Sequence, residues 1–229
     1  MQLDTYGQQT QVLSQGANRV LRNTYMLLAL TMVPTVAGAL LGVQLQFSFM
    51  AGSPFIGFLL FMGISFAFFY GIEKNKNSGL GVALLLGFTF FMGLMLSRIL
   101  QVTLGFSNGG SMIAMAAGGT GAIFATMATI ASVSKRDFSS MGKFLFVGVI
   151  VVLLAGVANI FFQIPALSLA ISAAVVLIFS AYILYDINQI VRGGETNYVT
   201  ATLAVYLDVY NVFVSLLNLI MAFTGGDRD

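Results

Sequence analysis

The sequence predicts an all-α integral membrane protein of seven transmembrane helices, and three observations carry that prediction. Hydrophobic residues make up 58% of the 229 residues and charged ones only 8%, where a soluble domain carries about 25% charged residues. Mean hydropathy is +0.94. Seven apolar segments can be drawn, each close to the roughly 20 residues a helix needs to cross a bilayer: Asn23 to Val43, Pro54 to Ile72, Gly79 to Leu100, Ser111 to Ser134, Gly142 to Phe162, Ala166 to Val191 and Thr200 to Phe223. The connections between them are too short for a separate soluble domain. The chain therefore divides into a mobile cytoplasmic tail over 1–18, a seven-helix membrane domain over 19–224 and a short external tail over 225–229.

Cysteine, histidine and tryptophan are all missing. Their absence excludes disulfides, thiolate metal sites, Cys or His catalysis and histidine pH sensing, so acids and Asn, Ser or Thr groups must carry any chemistry. No enzymatic activity and no obligatory cofactor are expected. The net charge of +2 is spread over the loops and gives no reason to expect nucleic-acid binding.

Taken in order, Met1 to Asn18 is polar and lacks the apolar run of a signal-peptide core. Arg19 and Arg22 precede the first span, whose Asn23, Thr24 and Tyr25 suit a headgroup boundary. Pro34 is expected to bend that span, and Gly38 with Gly42 forms a small-xxx-small pair that permits close helix contact. The link Gln44 to Ser53 is uncharged, whereas Glu73 to Ser78, after the second span, carries two lysines. The third span holds Arg98 near its end, and the Gly/Ser/Asn-rich stretch Gly105 to Ser111 follows. In the fourth span the run Ala116 to Gly121 is too small to fill a lipid-facing surface and is expected against other helices. No strand precedes it and no GKS or GKT follows, so it is not a phosphate cradle. Lys135, Arg136 and Lys143 flank the next turn, and Gln163-Ile164-Pro165, between the fifth and sixth spans, is uncharged.

Alternate loops put Arg19, Arg22, Lys74, Lys76, Lys135, Arg136, Lys143 and Arg192 on one side, against Arg98 and Arg228 on the other. Such a bias predicts a cytoplasmic amino terminus and a periplasmic or external carboxyl terminus in a bacterial inner membrane. Arg98, at the outer end of its helix, is expected to snorkel to the interface.

One acid falls in each of the last two spans. The midpoint of Asp186 and Asp208 is residue 197, inside the loop Gly193-Gly194-Glu195-Thr196-Asn197-Tyr198, so in an antiparallel hairpin the two carboxylates sit at one depth in the cytoplasmic half. An aspartate well inside a bilayer costs roughly 2.5 to 3.5 kcal/mol on insertion scales, which makes the pair a functional-site candidate. On the last helix Asp208, Asn211, Ser215 and Asn218 lie within one arc of about 80° at 100° per residue. That polar stripe is expected to line a narrow path at the centre of the bundle, or else to make interhelical hydrogen bonds. Glu195, in the loop, reads as a solvated residue, with membership of the acidic gate as the alternative.

Several segments are diagnostic: Val20-Leu21-Arg22-Asn23-Thr24-Tyr25, Val157-Ala158-Asn159-Ile160-Phe161, Pro165-Ala166-Leu167, the Gly193 to Tyr198 loop, Tyr206, and Tyr210-Asn211-Val212-Phe213-Val214-Ser215-Leu216-Leu217. They closely resemble the bacterial YccA group of the Bax inhibitor-1 family, from about residue 18 to 223. The resemblance implies a seven-helix fold with the last helix central. It implies, first, association with the membrane-anchored AAA protease FtsH, which the group binds and whose action on membrane proteins it restrains. The alternative it implies is a pH-sensitive Ca²⁺ leak, because some members are gated by an aspartate pair at positions matching Asp186 and Asp208. The group does not keep both aspartates throughout, so their presence speaks for the leak. The missing arginine in the second span, which pH-latching members use in an early helix, speaks against it.

Two carboxylates in a partly dry site cannot both ionise cheaply and should share a proton. Protonated, they latch two helices; deprotonated, they repel and offer hard oxygens suited to Ca²⁺, the one metal the sequence suggests. A remote alternative is an intramembrane aspartyl protease, since Tyr185-Asp186 and an acid on the next helix are similar to presenilin-like enzymes. However, Val205-Tyr206-Leu207-Asp208 lacks their GxGD.

Overall fold

The structure, a computed structural model, describes residues 2–48 and 54–225, and the side chains of 16–48 and 55–225 among them. Over these residues the chain forms seven helices and no strand: α1 Gln2–Gln44, α2 Pro54–Asn75, α3 Gly79–Leu104, α4 Gly109–Val133, α5 Met141–Phe162, α6 Pro165–Val191 and α7 Tyr198–Thr224. Each contains a stretch long and apolar enough to cross a membrane, so the protein is a multi-pass membrane protein. The backbone of the amino-terminal segment read as a mobile tail continues α1 from Gln2. Residues 226–229 of the external tail and 49–53 of the first link lie outside the described residues.

Local chemistry explains where the helices stop. The α5–α6 turn is closed by Asn159, whose backbone carbonyl accepts from Gln163 N–H at 2.9 Å and whose Oδ1 accepts from Ile164 N–H at 2.9 Å. Gln163 takes the left-handed conformation there (φ 51°), and Pro165 then opens α6 at a position where a missing N–H costs nothing. α7 is capped by Asn197, whose Oδ1 accepts from Val199 N–H at 2.9 Å and Thr200 N–H at 3.3 Å.

Packing in lipid depends on close approach and hydrogen bonds, because lipid tails are as apolar as leucine. α1 runs on through Pro34 and packs along α3. A Cβ on Gly38 would run into the Phe90 carbonyl, one on Gly93 into the Thr35 carbonyl, and one on Gly42 into Ser97. The Gly38 and Gly42 pair therefore acts as a contact face, and α3 answers it with Gly93.

α7 packs against α6, α4 and α1 and more lightly against α3 and α2, while α5 leans on α6. Its hydroxyls tie the bundle. Tyr206, 1% exposed, shares a 2.9 Å hydrogen bond with the Thr35 hydroxyl and reaches the Thr89 carbonyl at 3.5 Å. Tyr210 donates to the Met92 carbonyl at 3.2 Å, and Thr202 reaches the Thr24 carbonyl of α1 at 3.4 Å.

The small-residue run of α4 corrects an expectation. Ala116 and Thr120 face inward with Met112, Ala128 and Ala131, but Ala117, Gly118, Gly121 and Ala122 are exposed. A Cβ added at Gly118 or Gly121 would meet nothing within 4 Å. Consecutive residues lie about 100° apart on a helix, so a run longer than one turn cannot be packed on one face. Half of it must look away.

Candidate carboxylate pair and its surroundings

The α6–α7 hairpin is built from the loop inward. Gly193 takes a positive φ of 76°, where a Cβ would be strained, and the chain turns back through Gly194 and Glu195, whose N–H groups both donate to the Gln189 carbonyl at 2.8 and 3.2 Å. Glu195 is half-buried and is held, not simply solvated. Its Oε1 accepts from Asn197 N–H at 2.7 Å and its Oε2 from the Thr200 hydroxyl at 3.1 Å. Asn197 meanwhile donates from Nδ2 to the Lys76 carbonyl at 3.2 Å and to Asn77 Oδ1 at 2.8 Å. One loop thus fixes the start of α7 and pins it to the α2–α3 turn.

With the hairpin so held, the side chains of Asp186 and Asp208 come within hydrogen-bonding reach of each other. Asp208 is 4% exposed and its Oδ2 has no hydrogen-bond partner; Asp186 is half-buried. Tyr182 lies within electrostatic range of both acids, and Glu195 within range of Asp186. Two such carboxyls can hold two protons, one or none. With one proton between them, one group donates to the other; with none, like charges face each other at short range.

The remaining stripe residues differ in their surroundings. Ser215 is buried. Asn211, whose Nδ2 donates to the Leu207 carbonyl at 2.8 Å, lines a crevice of about 210 Å³ with Ser65, Phe69 and Tyr210. Asn218 lines a larger one of about 800 Å³ with Arg98, Phe61 and Val214. Neither lining includes Asp186 or Asp208. A third acid close enough to complete a metal cluster is absent among the described residues.

Asn188, two residues after Asp186 on α6, had no chemical pattern around it that marked it out in the sequence. It is 1% exposed; its Oδ1 accepts from Phe138 N–H at 3.1 Å, and its Nδ2 reaches the Ala131 and Arg136 carbonyls at 3.5 Å. With Arg192, which donates to the Lys135 carbonyl at 2.6 Å, it fastens the α4–α5 turn to α6 beside the acids. A polar residue two positions after an intramembrane acid was the only available signal.

Fold and site together define a helical multi-pass membrane protein with an acidic pair, one member buried and one half-buried, in its last hairpin. The chain belongs to the Bax inhibitor family, matching the family described as inhibitor of apoptosis-promoting Bax1 over residues 17–225. It is 40% identical to an uncharacterized protein of Neisseria meningitidis serogroup A, over 99% of this chain and 100% of that one. It is also 40% identical to the modulator of FtsH protease YccA of Escherichia coli K12, over 93% of each chain. An uncharacterized membrane protein of Vibrio cholerae is 37% identical over 92% of each.

Proposed function

We propose that the protein is an inner-membrane modulator of a membrane-anchored AAA protease of the FtsH kind, which it binds and whose action on membrane proteins it restrains. The observation that carries this reading is its 40% identity, over 93% of both chains, to the Escherichia coli protein named as a modulator of that protease. The open face of α4 supports it physically. Gly118, Gly121 and Ala122 are exposed, and small residues let a second helix approach closely where no hydrophobic force drives association. The loop charges support a cytoplasmic amino terminus, which puts the start of α1 on the side where an ATP-driven unfoldase works.

Co-purification with the protease, beside the half-life of a membrane substrate in cells, tests the reading. Wild type should co-purify and lengthen the half-life. Gly118→Leu with Gly121→Leu should keep normal membrane levels but lose both effects. Failure of wild type to co-purify removes the proposal.

A second reading is favoured by one observation, the contact between Asp186 and Asp208. In that reading the pair gates a cation leak: protonated it latches α6 to α7, and at alkaline cytoplasmic pH it opens and passes Ca²⁺. In liposomes, Ca²⁺ flux should rise with pH for wild type and lose its pH dependence in the Asp186→Asn, Asp208→Asn double variant. Equal flux from both at every pH discards the gate.

A further inference from the structure

The larger crevice lies between α2, α3 and α7 and holds a cation that makes no ion pair among the described residues. Its walls are mainly apolar, from Phe58, Phe61, Leu94 and Val214, with Asn218 and Arg98 as polar points, and its volume is about 800 Å³. That falls in the range of about 300 to 1,000 Å³ typical of built ligand sites. Arg98 is exposed and makes no ion pair among the described residues, where Lys76 with Glu73 is the one salt bridge. The acids whose side chains are described, Glu73, Asp137, Asp186, Glu195 and Asp208, all belong to the opposite half of the bundle, the end where α3 begins. Arg98 stands 19 residues along α3, about 28 Å from that end at 1.5 Å per residue.

Depth narrows the choice of anion. α3 has 26 residues and spans about 39 Å, which overhangs a hydrocarbon core of about 30 Å by some 4 to 5 Å at each end. Arg98 lies six residues before Leu104, about 9 Å along the axis, so its stem starts just inside the core and its guanidinium reaches the headgroup level. At that level the bilayer presents phosphate oxygens, which the guanidinium fork matches in a bidentate way, directly above an apolar slot.

We propose that this crevice seats one anionic phospholipid of the leaflet facing the end of α3, with its phosphate on Arg98 and an acyl chain lying between α2 and α7. Lipid supplies both parts of the site, the charge and the apolar wall, and a free phosphate supplies only the first. Filling the slot also covers apolar surface that helix packing leaves open.

Native mass spectrometry of the full chain, titrated with phosphatidylglycerol or phosphatidylcholine of the same chains, tests the seat. Wild type should hold phosphatidylglycerol in preference. Arg98→Gln should weaken that lipid about tenfold, the ordinary worth of one charge-assisted contact, and leave phosphatidylcholine unchanged. Lys143→Gln, which removes an exposed cation elsewhere, should change neither. Val214→Trp, which fills the slot, should weaken both lipids. Equal binding by wild type and Arg98→Gln, an equal loss in Lys143→Gln, or displacement of the lipid by inorganic phosphate alone overturns the proposal. Unmutated protein gives an independent reading: phosphatidylglycerol with a photoreactive acyl chain should label the α2, α3 and α7 peptides that hold Phe58, Leu94 and Val214. Labelling spread evenly over α5 overturns it too.

Discussion

At the scale of single residues, the polar groups that matter are those whose partners lie far away in the chain. Asp137, in the α4–α5 turn outside the membrane, is the contrasting case of a partner close by. The Ser139 hydroxyl and its N–H, the latter at 2.8 Å, hold the Asp137 carboxyl below the usual aspartate range, with a smaller push from Arg192. A group lowered in the folded state stabilises it above the ordinary aspartate value, and that contribution is lost as pH falls through the lowered folded value. The Ser139 amide resonance should therefore titrate with a midpoint below ordinary aspartate values, and Asp137→Asn should abolish the titration. A midpoint at or above the ordinary value would contradict the hydrogen bonds. Residue roles of this kind were the least legible part of the sequence. Asp186 and Asp208 stood out because an acid in an apolar run is rare, but Asn188 did not, because its partners are backbone groups 50 to 57 residues away. Glu195 looked solvated because nothing in the string reveals that Thr200 and Asn197 turn back onto it.

At the scale of elements, two seams set the bundle. Asn197 does two jobs: its Oδ1 caps α7 and its Nδ2 ties the loop to Lys76 and Asn77. Asn197→Ala removes both and should cost about 0.5 to 2 kcal/mol for the cap alone. Asn197→Asp keeps the acceptor but loses the donors, so its loss in a detergent melting experiment should be smaller. Equal losses would assign the residue to the tie alone. Between α1 and α3, Gly93→Ala should cost about 1 to 3 kcal/mol through overpacking against the Thr35 carbonyl, whereas Gly118→Ala, on an open face, should leave the melting temperature unchanged. The spans themselves were legible from hydropathy, since an apolar run of that length has no other stable home. The sides of α4 were not. A string of Ala and Gly fits equally well against a neighbour or away from one, and the decision is made by Met112, Ala128 and Ala131 packing inward.

At the scale of the whole molecule, the odd number of described helices puts the start of α1 and the end of α7 on opposite sides, and the charges separate the ends. Apart from Arg98, the charged side chains described are gathered toward the end where α1, α3, α5 and α7 begin. Because the chain has no cysteine, single introduced thiols report topology cleanly. Ser107→Cys, exposed in the α3–α4 loop, should react with an impermeant maleimide in intact spheroplasts. Ser78→Cys, exposed in the α2–α3 turn, should react only after permeabilisation, and the reverse pattern would invert the orientation.

The hydroxyl bonds of Tyr206 and Tyr210 to α1 and α3 have a consequence for biosynthesis. The helix that supplies them is made after α1 to α6, so a nascent chain must carry Thr35 and its neighbours in the lipid with those partners still unmade. A truncated product can insert its early helices but cannot close them. A copy lacking α7 keeps Thr35, Thr89 and Met92 in the lipid without the hydroxyls that close the finished bundle around them.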